Sequence, residues 1–64
     1  MRPVASTRET IVEAAYRLYR RKGYARVSLD EIASHASVTK RTLYYHFASK
    51  DDLLGSVMDM QSGL

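Results

Sequence analysis

Hydrophobic residues recur three or four positions apart along most of the chain, which is the spacing of amphipathic helices. The first such stripe consists of Ile11, Ala14, Ala15 and Leu18. Ser6 and Glu9 precede it in the Ser-x-x-Glu pattern of a capping box, so we predict that helix 1 begins at Ser6 or Thr7 and buries this stripe. A basic last turn and Gly23 predict a left-handed stop, after which Tyr24 should fold back onto the helix as packing.

A second capping pattern, Ser28-x-x-Glu31, predicts the start of helix 2. Val27 and Ile32 flank this pattern as a hydrophobic staple, which sets the angle at which a helix leaves its turn. We therefore assign Glu31 to the cap of helix 2.

The stretch from Thr39 to Phe47 carries only two firmly apolar residues, Leu43 and Phe47, one helical turn apart. A helix of this sequence would bury a narrow stripe and would direct Arg41 and Tyr45 almost straight away from it. The outward face would be cationic, hydroxylated and aromatic, and such a face can donate hydrogen bonds to base edges and phosphates. The pattern predicts that helix 3 is a nucleic-acid recognition helix.

The residues before this helix have the spacing of a helix-turn-helix: a small residue for close approach, a turn residue and then hydrophobic anchors. They are Ile32, Ala33, Ala36, Ser37, Val38 and Leu43. Thr39 is the predicted cap of helix 3, with Val38 and Leu43 as its staple.

Helix 4 is predicted to begin at the cap Ser49, with Asp51 and Asp52 complementing the helix dipole. Its expected apolar side consists of Leu53, Leu54, Val57 and Met58. We expect this helix to brace the helix-turn-helix.

These motifs together resemble the DNA-binding domain of TetR-family transcriptional regulators, from about Thr7 to about Val57. The segments that carry the resemblance are Ser28-Leu29-Asp30-Glu31-Ile32-Ala33, Ala36-Ser37-Val38-Thr39-Lys40, Thr42-Leu43-Tyr44-Tyr45-His46-Phe47 and Ser49-Lys50. Most family members have Gly where this chain has Ser37, because the turn commonly needs a positive φ there. The resemblance therefore implies a positive φ at Ser37, which costs a non-glycine residue about 1 kcal/mol or somewhat more. The resemblance implies a regulator, with repression as the family default, that binds a double-stranded DNA operator through helix 3 in the major groove. It also implies a longer, homodimeric protein whose C-terminal domain, absent here, binds a small-molecule inducer.

The predicted DNA-binding residues are Thr39, Lys40, Arg41, Thr42, Tyr44, Tyr45, His46 and Lys50. Arg41 is the best candidate for reading a base, because Arg donates well to guanine O6 and N7. Tyr45 is a candidate for a thymine methyl or a sugar. Lys50, at the start of helix 4, is expected to contact a phosphate. The resemblance places Tyr44 and His46 near the DNA, and for His46 a hydrogen bond within the fold is an equal alternative.

Composition agrees with one small domain: the chain has 64 residues, no Cys and a net charge of +3. Basic residues are concentrated in residues 1–26 and 39–50, which suits a polyanionic partner if the fold brings them to one side. No apolar run approaches the roughly 18 residues of a membrane span, and no signal-peptide hydrophobic region follows Met1. We expect a cytoplasmic protein with no membrane contact and no cofactor. His35 and His46 alone do not make a metal site.

Two other functions are weaker. Glu31 and His35 lie one helical turn apart, but no nucleophile with a supported base or metal motif accompanies them, so we expect no enzyme. The stronger rival is a basic amphipathic protein-interaction or membrane-surface module on helix 1. Its polar face would consist of Arg17, Arg20, Arg21 and Lys22. It explains one segment only.

The fold class that we predict is all-α: a three-helix helix-turn-helix domain followed by a fourth helix, as in a truncated TetR-like chain. The expected boundaries are an N-terminal arm at 1–6, the DNA-binding domain at 7–48, and helix 4 at 49–64 as the start of a connection to the absent C-terminal domain. A fragment of a longer protein is the expectation, and a natural stand-alone domain is the alternative.

Overall fold

The computed structural model describes residues 6–62 and the side chains of residues 6–59. Its helices are α1 (Thr7–Lys22), α2 (Leu29–His35), α3 (Lys40–His46) and α4 (Lys50–Ser62), with a 3₁₀ turn at Tyr24–Arg26. No strand occurs within this range, and the predicted all-α fold is confirmed. Of the predicted arm, residues 1–5 lie outside the described residues, as do Gly63 and Leu64 at the predicted end of helix 4.

All four predicted N-caps are confirmed. The cap side chains accept the backbone N–H three residues on: Glu9 to Ser6 at 3.2 Å, Glu31 to Ser28, Thr42 to Thr39 and Asp52 to Ser49, each at 3.1 Å. Each bond satisfies an amide that has no partner within the first turn, which typically stabilises a helix by about 1 kcal/mol. At α1 the capping box is complete, because the Ser6 N–H also donates to the Glu9 carboxylate at 3.0 Å. This backbone bond is the main reason that the pKa of Glu9 is lowered.

At α2 the prediction of a second capping box is wrong for one of its two hydrogen bonds, the return bond to the Glu31 side chain. The Glu31 carboxylate does not return to the cap, because it accepts a bond of 2.5 Å from the Lys22 ammonium at the end of α1. This bond is also the first cause of the lowered pKa of Glu31. Lys22 therefore ties α1 to α2 in addition to complementing the helix dipole.

Gly23 and Ser37 both have a positive φ, but their backbone conformations differ. Gly23 has φ 89° and ψ 147°, so the positive φ is as predicted while ψ is extended and not left-handed helical. Ser37 has φ 59°, which confirms the expected conformation. It closes α2 as a Schellman motif, since Val38 N–H reaches Ala33 O at 3.0 Å and Ser37 N–H reaches Ser34 O at 3.1 Å.

The core lies between α1 and the other three helices. Its buried residues are Ile11, Val12, Ala14, Ala15, Leu18, Val27, Ile32, Ala33, Ala36, Leu43, Phe47, Leu53 and Val57. On α4, Leu53 and Val57 form the buried stripe and Leu54 is half-buried, but Met58 is 58% exposed. Our assignment of Met58 to the apolar side is therefore wrong, because one residue beyond Val57 a helix has turned about 100° away from the core. Of the helices described, none is long and apolar enough to cross a membrane.

Candidate nucleic-acid interface

Helix α3 is held against the core by the two apolar residues that the sequence singled out. Leu43 is 0% exposed and Phe47, which ends the helix, is 2% exposed. From the other side the Arg8 guanidinium lies over the Phe47 ring at 5.3 Å from its centroid. Arg8 also donates to the Ser56 hydroxyl at 2.9 Å, so one residue of α1 contacts both the end of α3 and the second turn of α4. The inner face of α3 is therefore firmly seated.

The outer face of α3 is open. Tyr45 is 85% exposed, and Arg41 and Tyr44 are also exposed. None of the ion pairs among the described side chains includes Arg41. His46 is half-buried, with its ring edge-on to Tyr45 at 5.2 Å and tilted against Phe47 at 6.3 Å. These ring contacts restrain Tyr45 without covering it.

At the start of α3 two hydroxyl groups are connected. Thr39 Oγ1 accepts the Thr42 N–H and donates its own proton to Thr42 Oγ1 at 3.0 Å. The Thr39 hydroxyl has then spent its single proton, while the Thr42 hydroxyl keeps its own. Of this pair, the hydroxyl of Thr42 is the one that can donate to an external acceptor.

Lys40, in the first turn of α3, pairs with Asp30 on α2 at 3.0 Å. The hydrogen bond to Asp30 is the first cause of the raised pKa of Lys40. Both side chains are more than half exposed, so the pair is accessible to water and to salt. Any anion that binds Lys40 competes with this carboxylate.

Lys50 is the one predicted site residue outside α3 and its cap, and its surroundings are unlike those of Lys40. Its ammonium donates to the Tyr24 carbonyl oxygen at 2.5 Å and lies 4.2 Å from the centroid of the Tyr24 ring. Tyr24 also packs edge-on against Tyr19, with centroids 5.2 Å apart, which confirms the predicted folding back. The sequence analysis missed its contact with Lys50, because these residues are far apart in sequence and neither sits in a motif that points to the other.

A second basic surface is formed by α1 and the last residue of α2. A cleft of about 300 Å³ is lined by Tyr16, Arg17, Arg20, Arg21 and His35. Arg20 lies over the Tyr16 ring and donates to its hydroxyl at 3.0 Å, while Arg17 pairs with Glu13 at 3.1 Å. The apolar face of α1 is buried in the core and is not available to a membrane or to a partner helix. Within the described residues, no group of three or more His, Cys, Asp or Glu side chains is placed to hold a metal ion.

Comparison with known proteins shows the family to which this chain belongs. The profile of the family described as "Bacterial regulatory proteins, tetR family" matches residues 11–57, which include all of α2 and α3 and most of α1 and α4. The chain belongs to the TetR family. The match contains each of the eight predicted site residues, from Thr39 to Lys50.

Its TetR-family relatives include regulators of known structure. The chain is 43% identical over 56 residues to the A-factor receptor protein of Streptomyces griseus, covering 88% of this chain and 20% of that protein. It is 42% identical over 53 residues to the HTH-type transcriptional regulator TtgR of Pseudomonas putida, covering 83% and 25%. The solved structure of CprB from S. coelicolor A3(2) matches with a TM-score of 0.83 and 50% identity, over 88% of this chain and 29% of that one. A gamma-butyrolactone receptor described as ArpA-like matches with a TM-score of 0.85, 50% identity and the same coverage. The chain thus spans a quarter or less of the length of these two curated relatives.

Proposed function

We propose that this chain binds double-stranded DNA sequence-specifically, as the DNA-binding part of a transcriptional repressor, with α3 in the major groove. The observation that carries the proposal is the division of α3 into two faces. Leu43 and Phe47 are buried, whereas Arg41 and Tyr45 are exposed on a helix whose cap and preceding turn set its direction. A helix presented in this way can enter a major groove without being displaced from its core.

Within this proposal Arg41 reads a base. Its guanidinium is exposed near the N-terminus of α3, the part of a recognition helix that usually meets base edges. Bidentate donation to guanine O6 and N7 is the commonest specific contact of Arg. Tyr45 contacts a thymine methyl or a sugar, because its ring is exposed one turn further along the same face.

The other predicted residues position the helix on the phosphate backbone. The Thr42 hydroxyl and the Thr39 backbone amide are donors at the start of α3, and Lys50 supplies a cation at the start of α4. Lys40 contributes when its pair with Asp30 opens. Tyr44 and His46 meet phosphates from the two flanks of the helix. Such contacts fix register and orientation but carry no sequence information of their own.

For the whole protein we propose a homodimer that binds an operator in the cytoplasm. Two of the similar proteins are named as receptors, one for A-factor and one for a gamma-butyrolactone. We propose that the protein to which this domain belongs releases DNA in response to a small-molecule inducer bound in a C-terminal domain. The arm at 1–6, the DNA-binding domain at 7–48 and the connecting helix from 49 are its proposed parts.

The test is fluorescence anisotropy of a labelled mixed-sequence duplex titrated with the chain over a series of salt concentrations. The logarithm of the association constant should fall linearly with the logarithm of salt, with a slope of about −0.9 per phosphate neutralised. Lys50→Ala should lower both the affinity and the slope. Arg41→Ala, measured on a duplex selected for tight binding, should cost about 1 to 3 kcal/mol and relax one base position.

Arg21→Ala is the matched control, because it removes the same side chain from the cleft on α1. Equal losses for Arg21→Ala and Arg41→Ala would indicate nonspecific attraction to any basic surface. If the chain gains helicity on anionic vesicles and does not bind duplex even at low salt, the interaction module on α1 replaces this proposal.

A further inference from the structure

The seat of the Lys50 ammonium is built almost entirely by one residue. The Tyr24 carbonyl oxygen accepts a hydrogen bond from Lys50 at 2.5 Å, and the ring of the same residue lies 4.2 Å from the ammonium. Lysine has a flexible four-carbon stem, so an unrestrained ammonium would sample many positions. Here the carbonyl and the ring face limit it to one region beside the start of α4.

Tyr24 is itself held at three points. Its backbone follows Gly23, whose φ of 89° sends the chain out of α1. Its ring meets the Tyr19 ring edge-on at 5.2 Å, and its hydroxyl donates to the Asp51 carboxylate at 2.6 Å. The bond to Asp51 is the main reason that the pKa of Tyr24 is raised to about 12. Tyr24 thus connects the end of α1 with the first turn of α4.

The seat leaves the Lys50 ammonium without a carboxylate partner among the described side chains. Its two acidic neighbours accept other bonds, because Asp51 receives the Tyr24 hydroxyl and Asp52 receives the Ala48 N–H at 3.0 Å. The ion pairs among the described side chains do not include Lys50. Of the three ammonium N–H donors the carbonyl uses one and the ring faces another side, which leaves a donor for an anion. The Lys50 and Asp51 backbone amides, in the first turn of α4, have no intrahelical partner and favour negative charge at the same place.

We propose that Tyr24 is a positioning residue for DNA binding: its carbonyl and ring seat the Lys50 ammonium so that the remaining donor meets a DNA phosphate. This inference rests on the proposed function, because it gives Lys50 the phosphate contact assigned above. Tyr24 acts through Lys50 and does not itself touch DNA.

The experiment is a double-mutant cycle on duplex binding, with Tyr24→Leu, Lys50→Gln and the double variant measured over a salt series. Tyr24→Leu removes the ring and keeps the carbonyl, so we expect roughly a two- to fivefold loss of affinity, the size that an exposed cation–π contact supports. In the Lys50→Gln background the same change should have no further effect. In the Arg41→Ala background it should keep its full effect, because Arg41 lies on α3 and does not share this seat.

Tyr24→Phe separates the ring from the hydroxyl. It keeps the ring and the carbonyl and loses the bond to Asp51, so it should lose clearly less affinity than Tyr24→Leu. If Tyr24→Phe loses as much as Tyr24→Leu, the ring does not seat Lys50 and the inference is wrong. An undiminished loss for Tyr24→Leu in the Lys50→Gln background would overturn it equally, because the residue would then act elsewhere.

An NMR measurement on the free chain tests the seat without DNA and without depending on affinity. The methylene protons next to the Lys50 ammonium should be shifted upfield by the Tyr24 ring, should stay shifted in Tyr24→Phe, and should return to ordinary values in Tyr24→Leu. Circular dichroism on each variant establishes that it is folded. Ordinary shifts in the folded wild-type chain would contradict the inference.

The two proposals fail in different ways. Absence of duplex binding by wild type, with the Lys50 protons shifted, would defeat the proposed function and leave Tyr24 as a structural clamp without the positioning role. Salt-dependent binding that weakens in Lys50→Gln and is unaffected by Tyr24→Leu would keep the proposed function and defeat this inference alone.

Discussion

Two lysines flank the proposed recognition helix, Lys40 as the first residue of α3 and Lys50 as the first residue of α4, and their side chains have different partners. At the turn between α2 and α3, Lys40 is paired with the Asp30 carboxylate and is mostly exposed. At the turn between α3 and α4, Lys50 is half-buried against a neutral carbonyl and an aromatic ring. Both are basic residues beside the proposed recognition helix, and both were predicted from the sequence to bind DNA.

The difference shows that the availability of a lysine to an external anion depends on its partners. Lys40 and Asp30 together carry no net charge, and an anion must displace the carboxylate to gain the ammonium. Lys50 keeps its charge and is already restrained, so less side-chain freedom is lost when an anion binds. We therefore expect Lys50 to contribute more to phosphate binding than Lys40.

The largest effect is expected from removing a buried anchor of α3, the helix that begins at Lys40 and ends before Lys50. Leu43→Ala takes a fully buried side chain from the middle of α3 and should destabilise the fold by about 2 to 5 kcal/mol. A domain of this length has a free energy of unfolding of only about 3 to 10 kcal/mol, so the variant should lose a large share of its stability. Urea or thermal unfolding followed by circular dichroism measures this, with Tyr45→Ala as the exposed control. Equal stability of the two variants would mean that α3 is not anchored through Leu43.

The comparison between the lysines is tested directly by neutralising each one. Lys50→Gln should reduce the salt slope of duplex binding by about 1, as expected for one lost phosphate contact, whereas Lys40→Gln should change it much less. Asp30→Asn provides the converse, because it frees Lys40 without removing it and should make binding tighter and steeper in salt. A larger loss from Lys40→Gln than from Lys50→Gln would reverse the ranking.

The turn on the Lys40 side is strained, and relieving that strain should act on stability alone. Ser37 has φ 59°, so Ser37→Gly should stabilise the fold by up to about 1 kcal/mol. For a domain of this size, that free energy corresponds to a rise in thermal midpoint of about 4 to 8 °C. Duplex affinity should be retained. A lower midpoint would show that the flexibility of glycine in the unfolded chain outweighs the strain.

The smallest expected effect appears at alkaline pH and concerns the Lys50 side. The pKa of Tyr24 is raised from 10.0 to about 12, mainly by its hydrogen bond to Asp51. A raised pKa in the folded state gives a stabilisation that is complete below pH 10 and is lost as pH rises through about 12. The thermal midpoint of wild type should therefore fall slightly more than that of Tyr24→Phe over this interval. Parallel curves would mean that the bond to Asp51 contributes nothing measurable.

Sequence reasoning was most accurate where a feature depends on residues a few positions apart. The caps at Ser6, Ser28, Thr39 and Ser49 are all confirmed, because a hydroxyl at the cap position reaches the amide three residues on whatever the rest of the fold does. The burial of Leu43 and Phe47 is also confirmed, because two apolar residues one helical turn apart lie on the same face of a helix. The DNA-contacting roles of the eight site residues and the domain boundaries stay predictions.

The partners of the charged and aromatic side chains were decided by tertiary packing. Glu31 was assigned to its own cap but pairs with Lys22, and Tyr24 was assigned to packing but also holds Lys50 and Asp51. These contacts join residues on different helices, so they exist only after α1 has packed against α2 and α4. Helix period and capping chemistry are short-range properties that the order of residues encodes directly. The choice among several possible partners for a long, flexible side chain depends on which surfaces the core brings together.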